Sequence, residues 1–323
     1  MASPDSKRTA PGPQIIFFCP PAEKLNGGIK YIFRMAETLR RAGHDAVVYE
    51  EKELRPDWFA NEAPIVGEKV LGSRVDQILV LPEDQPYAMR RWAKAPQRKV
   101  MYCQNHFFAA RSTRFGGTYA DYGISHILCS GRAVYDFCRH RHPEVVSLHV
   151  PCGIDPALFH PGMKKERIAY MPRKRPVEAG FIRDLFRFGY PEFREIEWLA
   201  LDGKSEREIA EALGESTVFL SLNRLDGFGL TPIEAMASGC VVAGFTGIGG
   251  QEYAVPENGF WARDDDFPVC VRQLAEAVWL SRETGGRREA YTTACKRTTD
   301  QYTPAVFEAA AAAAWAEILS HHA

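Results

Sequence analysis

The sequence predicts an α/β protein built of two doubly wound halves, each around a parallel sheet. Three observations predict it. Short apolar runs rich in β-branched residues recur along the chain, each followed by a glycine- or proline-marked loop and an amphipathic helix. The rhythm pauses at Pro151-Cys152-Gly153-Ile154-Asp155 through His160-Pro161-Gly162 and then restarts. The stretch from Ser216 to Glu252 reads as a complete strand, loop, helix and strand, which is a parallel βαβ unit.

A chain of 323 residues is long enough for two domains with substantial cores. With 46% hydrophobic residues, 25% charged and a net charge of -1, it has the composition of an ordinary globular protein, with no global attraction for nucleic acid. No apolar run approaches the roughly 20 residues needed to cross a bilayer. The first residues have no apolar region of the secretory type and are expected to form a disordered tail over 1–13. Eight scattered cysteines form no C-x-x-C pair and no zinc-spaced cluster, so they read as reduced, mostly buried side chains of a cytoplasmic protein.

In the first half, expected over 14–160, Gln14 to Cys19 is the first strand and Gly27-Gly28 opens a helix through about Arg41. Asp45 to Tyr49 is the next strand. Further strands read at Gln77–Leu81, Lys99–Cys103, His126–Cys129 and Val145–Val150. Gln104, Asn105 and His106 gather at the carboxyl end of one of them, which makes His106 a candidate site residue. Arg90, Arg91, Lys94, Arg98 and Lys99 form a basic region, either a solvated helix face or a contact for an anionic membrane or lipid-linked acceptor.

The second half, expected over 161–302, begins with the strand Arg167–Met171 and the basic run Arg173-Lys174-Arg175, placed where a phosphate needs neutralising. Glu195–Leu201 is a strand, Ser205–Leu213 a helix and Val218–Leu222 a buried strand. After the loop with Asp226, Gly227 and Gly229, Thr231 in the cap position, Pro232 and Glu234 announce a helix that Ser238-Gly239 ends. Cys240–Gly244 is the following strand. Asp264-Asp265-Asp266 precedes a helix over Val269–Leu280 and reads as capping and dipole compensation rather than a metal site. Thr303-Pro304 starts an alanine-rich last helix within 303–323, suited to close packing, here against the first half.

The Ser216–Glu252 unit is the candidate site. Ligands of open parallel sheets collect at strand carboxyl ends, and a helix N-terminus there offers unpaired N–H groups to a phosphate. Asp226 and Glu234 stand on either side of that amide cradle. Carboxylates repel phosphate, so their partners are sugar or ribose hydroxyls, and the chemistry indicated is a nucleotide joined to a sugar.

These residues resemble the retaining GT-B glycosyltransferases of the large family-four (group 1) type. The resemblance is carried by Gly27-Gly28 before a helix ending in Arg40-Arg41-Ala42-Gly43-His44, by Val150-Pro151-Cys152-Gly153-Ile154-Asp155 with Phe159, by Asp226-Gly227-Phe228-Gly229-Leu230 leading to Glu234-Ala235-Met236-Ala237-Ser238-Gly239, and by Gly249-Gly250-Gln251-Glu252 with Asn258-Gly259. It implies two Rossmann-like domains facing a cleft that holds a nucleotide sugar. Glu234 matches the glutamate expected to hold the ribose, and Asp226 the one expected near the donor sugar. Gly27 and Gly28 would close from the first domain, and amides of Phe228, Gly229, Leu230 and Thr231 would contact sugar and phosphate. Arg173, with Lys174, would stabilise charge on the diphosphate, and His106 would line the acceptor side.

Two departures accompany the match. Asp226 is one methylene shorter than the family's glutamate, and Glu178 stands where the family tends to have lysine, so Lys174 or Arg175 must compensate. The second half is also short, as if one βα unit were dropped between Leu201 and Val218. The function expected is transfer of a sugar from a nucleoside diphosphate to a glycan or lipid-linked acceptor with retention, in glycan or surface-polysaccharide synthesis. The nucleotide sugar is co-substrate, and neither a metal nor a cofactor is implied. A peripheral contact with the inner face of the membrane goes with the basic region. The competing class is a non-catalytic nucleotide-sugar-binding partner of a synthesis complex. A dinucleotide oxidoreductase, resting on Gly247-x-Gly249-Gly250, is opposed by the absence of G-x-G-x-x-G after the first strand.

Overall fold

The computed structural model describes residues 12–23, 25–113 and 117–320. Residues 1–11 of the expected tail and 321–323 of the expected last helix lie outside the described residues.

The first domain runs β1 (Ile15–Phe18), α1 (Gly27–Arg41), β2 (Ala46–Tyr49), β3 (Ile65–Val66), β4 (Ile78–Pro82), α2 (Pro86–Trp92), β5 (Arg98–Cys103), α3 (His106–Ser112), β6 (Ile124–Cys129), α4 (Arg132–Arg141) and β7 (Val146–His149). Its seven strands lie in the order β3-β2-β1-β4-β5-β6-β7, all parallel. Every residue of β1 is buried, as expected of a central strand covered by helices on both faces.

The second domain contains β8 (Lys165–Tyr170), α5 (Pro176–Gly189), β9 (Glu197–Ala200), α6 (Glu206–Glu215), β10 (Ser216–Leu222), α7 (Leu230–Ala237), β11 (Val241–Phe245), β12 (Phe260–Ala262), α8 (Phe267–Arg282) and α9 (Gly286–Thr299). The sheet order is β12-β11-β10-β8-β9, again parallel. β10 lies at its centre, and its register with β11 runs from Val218 opposite Val241 to Leu222 opposite Phe245. A single helix, α6, returns the chain from the edge strand β9 to β10. It begins in a reciprocal capping box of Ser205 and Glu208.

The last helix, α10 (Pro304–Ser320), leaves the second domain and packs on α1 of the first. Tyr31 meets Phe307 edge-on at 5.7 Å, Trp315 meets Phe17 at 5.9 Å, and Arg98 donates to the Ile318 carbonyl at 2.8 Å. The two domains are therefore joined twice, by the segment after β7 and by the one before α10. These crossings run side by side: Ile154 N–H donates to the Tyr302 carbonyl at 2.7 Å, and the Tyr31 hydroxyl donates to the Gly153 carbonyl at 2.8 Å. Among the described residues no helix is long and apolar enough to cross a membrane.

Three local expectations change. Gly229, not Thr231, precedes the first residue of α7. Its φ of +83° is one that favours glycine, and a Cβ there would stand 2.4 Å from Asn223 Nδ2. The helix thus starts one residue after Gly229, and Thr231 and Pro232 occupy its first turn, where backbone N–H groups have no partner within the helix. Of the acidic triplet, Asp266 alone caps α8, accepting from Val269 N–H, while Asp264 and Asp265 pair with Arg175. The basic region is not one face: Lys99 is buried, donating to the Ala95 and Gln97 carbonyls, and Arg98 is turned to α10. Arg90, Arg91 and Lys94 stay exposed, with Arg91 paired to Glu68.

Candidate active site

The carboxyl ends of both sheets face one interdomain cleft. From the first domain come Gly27, Gly28 and Lys30 at the start of α1, Glu83 after β4, and Gln104 and Asn105 after β5. From the second come Arg173 and Lys174 after β8, the Leu201–Lys204 segment after β9, and Asp226 to Thr231 with Glu234 around the start of α7. Two helix N-termini, of α1 and α7, thus point into the same space, each with partial positive charge.

The glycine loop is fixed from three sides. Asn26 Oδ1 accepts from Gly28 N–H at 2.9 Å and so caps α1, and Gln104 Nε2 donates to the Gly28 carbonyl at 2.9 Å. Across the cleft, a Cβ on Gly27 would stand 2.9 Å from Leu230 Cδ1. Other contacts close the domains on one another. Asn105 Nδ2 donates to the Leu225 carbonyl at 2.9 Å, and Arg132 N–H at the start of α4 donates to Glu252 Oε2 at 2.5 Å. Gly227 sits so near the end of β5 that an added Cβ would be 2.0 Å from the Gln104 carbonyl oxygen.

The charged residues divide by environment. Lys174 pairs with Asp226, which also accepts from Arg224 N–H at 3.3 Å. Arg173 is exposed in the cleft and forms no ion pair among the described residues. Glu178 lies at 3.3 Å from Arg224. Arg175 does not reach the cleft. Its guanidinium is fully buried, 4.5 Å over the ring of Phe245, with Asp264 and Asp265 as partners, so of the two cations expected to compensate only Lys174 lines the cleft.

Glu234 lies 6% exposed on α7, and Lys30 Nζ is 3.2 Å from its Oε1. Burial pushes the Glu234 carboxyl above its usual range, and Lys30 opposes the shift. Glu83, at the cleft floor, is pushed up to about 8 by burial and then by Asp84.

His106 is not brought to the cleft. It is buried, with its ring 4.2 Å from that of Phe107 and 5.8 Å from that of Phe137, and its Nδ1 has no hydrogen-bond partner among the described residues. Burial lowers its pKa. The reason is local: Asn105 caps α3, accepting from Phe107 N–H, and this turns the following histidine under the helix while Asn105 and Phe108 keep the cleft. The other ten sequence-predicted residues, Asp226, Glu234, Arg173, Lys174, Gly27, Gly28, Phe228, Gly229, Leu230 and Thr231, all line it. The Phe228 ring itself packs on Tyr253 and Tyr302.

No family model matches the chain. It is 24% identical over 279 residues, 81% of its own length and 83% of the relative's, to an alpha-1,6-glucosyltransferase of Actinobacillus pleuropneumoniae serotype 7 (strain AP76). Among solved structures, HepE of Anabaena in complex with UDP superposes with a TM-score of 0.70 at 13% identity, covering 94% of this chain and all of that one. Sucrose-phosphate synthase of Thermosynechococcus elongatus superposes with 0.67 at 12% identity, covering 95% and 99%. The protein has the GT-B fold. Together with the sequence relative, this fold supports a glycosyltransferase that uses a nucleotide-sugar donor.

Within this GT-B cleft, sequence reasoning misses Lys30, Glu206 and Glu83. Lys30 has one available signal, a lysine two residues past the glycine pair in a first turn that otherwise faces inward. Glu206 follows the capping serine of α6, which places it in the first turn of a helix beside the cleft. Glu83 offers none, because its role depends on the β5 end folding over it.

Proposed function

We propose that the protein is a retaining glycosyltransferase that moves a sugar from a nucleoside diphosphate to an acceptor hydroxyl in glycan or surface-polysaccharide synthesis. The observation that carries the reading is the meeting of Asp226, Glu234, Arg173, Lys174 and two helix N-termini in a single interdomain cleft. Glu234 holds the ribose and Asp226 the donor sugar. As the bond between the sugar and the diphosphate breaks, negative charge grows on the departing phosphate. Arg173, Lys174 and the amides of Phe228, Gly229, Leu230 and Thr231 stabilise it without a metal. Gly27 and Gly28 close from the first domain and exclude water, which limits donor hydrolysis. The acceptor, a glycan or a lipid-linked sugar, enters from the first-domain side, where Arg90, Arg91 and Lys94 offer a peripheral contact for an anionic membrane.

HepE has been solved with UDP and with UDP-glucose, and the sequence relative is a glucosyltransferase, which makes UDP-glucose the first donor to test. Thermal unfolding with a panel of nucleoside diphosphates and their sugars should show one donor raising the midpoint through mass action. Arg173→Ala and Glu234→Ala should abolish that shift. A panel that leaves the midpoint unmoved would sink the reading. The second reading, a non-catalytic binder, is favoured by the Lys174 pair that occupies Asp226. It predicts the same midpoint shift with no donor hydrolysis and no transfer to any acceptor.

A further inference from the structure

The cleft contains a buried ion cluster in which Glu234 meets two residues, Lys30 and Glu206, that have no role in the proposed transfer. Lys30, in the first turn of α1, is 7% exposed. Its Nζ lies 2.8 Å from Glu206 Oε1 and 3.2 Å from Glu234 Oε1. One cation of the first domain therefore bridges α6 and α7 of the second. The rings of Tyr31 and Phe159, at 5.5 and 5.9 Å from Nζ, keep water off while favouring the charge.

Two carboxylates share this lysine, and they are not equally served. Glu206 has a second cation, Arg34 one turn further along α1, at 3.8 Å. Glu234 has Lys30 alone within ion-pair distance among the described residues, with Lys174 acting from further off. Burial works against the charge on Lys30, but Glu234 and Glu206 outweigh it and hold the ammonium protonated. Burial raises the Glu234 carboxyl and Glu206 raises it further, with Lys30 the principal force in the other direction. The nearby Tyr31 and Cys152 stay neutral, since burial holds their protons. Without the lysine, two acids would face each other in a dry site and one would take up a proton.

We propose that Lys30 is a positioning residue for the donor: it pairs and orients the Glu234 carboxylate for the ribose hydroxyls, and does so only while the two domains are together. The inference rests on Glu234 being the ribose-binding group. Opening of the cleft separates α1 from α7, so the group that grips the nucleotide is completed by closure itself.

The test is calorimetric titration of UDP into the full-length protein from about pH 5 to pH 8, comparing variants at each pH so that the nucleotide's own protonation cancels. Wild-type affinity should fall on the acid side as Glu234 takes up its proton. Lys30→Met should move that acid limb upward by about one pH unit, a roughly tenfold loss of affinity within the window, and Lys30→Arg should restore it. Glu206→Gln should move the limb the other way, because it removes the acid that raises Glu234. A lysine that only supports the fold would lower affinity by one factor at every pH, and Glu206→Gln would then mimic Lys30→Met; either result overturns the proposal, as does an unmoved limb. Should Lys30→Met fail to fold, the direction of the Glu206→Gln shift decides alone. Wild-type protein that binds no UDP or other nucleoside diphosphate at any pH would overturn the ribose assignment and this inference together, whereas binding with unmoved limbs overturns Lys30 only.

Discussion

Lys174 and Asp226 form an ion pair inside the cleft, joining the turn after β8 to the loop after β10. Asp226 is a shorter acid than the resemblance leads one to expect, Lys174 is one of the two cations expected to stand in for a lysine where Glu178 lies, and the two meet in space. Asp226→Asn should lower the transfer rate by about 10- to 100-fold while changing the donor KM little, because the charge matters most as the bond to the diphosphate breaks. Asp226→Glu should keep the pair and retain activity. Steady-state kinetics on the two variants separate these outcomes, and an Asp226→Asn enzyme of undiminished rate would remove the residue from the chemistry.

Closure has a steric signature at Gly227. A methyl group there would lie 2.0 Å from the Gln104 carbonyl oxygen and 3.0 Å from Asn105 Cα, both backbone atoms that cannot move aside cheaply. Gly227→Ala should hold the domains apart and cost about 100-fold in kcat/KM, since a displacement on the scale of 1 Å suffices for such a loss. Small-angle scattering checks it: wild-type protein should contract on adding UDP, and the variant should not.

Glu83 makes the stability of the fold depend on pH below about 8. Burial, then Asp84, raises its carboxyl from the ordinary value of 4.5 to about 8, so the folded protein holds a proton that the unfolded chain has released. The contribution is fully present below pH 4.5 and is lost as pH rises through about 8. The unfolding midpoint should therefore fall as pH rises from about 4.5 to about 8 and level off above that, and Glu83→Gln, neutral throughout, should flatten that fall. Parallel slopes for the two proteins would contradict the assignment.

Arg175 tests the division between structural and ligand-facing cations. Arg175→Met removes the contact with Phe245 and both aspartate partners. The cost should be about 2 to 3 kcal/mol, below that of a wholly buried pair because Asp264 and Asp265 remain hydrated. UDP affinity should be unchanged, whereas Arg173→Ala should lose it. Chemical denaturation and titration on the same two variants give both readouts.

The sequence made the architecture legible because the strands are buried on both faces and announce themselves as apolar runs, from Ile15 to Phe18 and from Val218 to Leu222. The exceptions are two edge strands, β3 of two residues and β12 of three, each too short to carry a period. The cleft residues of the second domain were legible for a related reason, since one continuous βαβ unit supplies most of them. What could not be read were facts of three dimensions. Whether His106 turns toward the cleft or under α3 depends on the Asn105 cap, and the three basic residues after β8 look alike in sequence until Arg175 finds Phe245. Lys30 and Glu206 are 176 positions apart, and no local pattern relates them.

The paired crossings between the domains set what kind of movement the protein can make. A lone connection is a swivel, free to turn in several directions. Here two strands of chain pass side by side and are bonded to each other through Ile154 and Tyr302, with Gly153 so close to Thr303 that a Cβ would stand 2.6 Å from its carbonyl oxygen. Two pins set together act as a door hinge: they allow swing about one line and resist twist. Lys30 on one leaf and Glu234 on the other are thereby restricted to approach along a single arc.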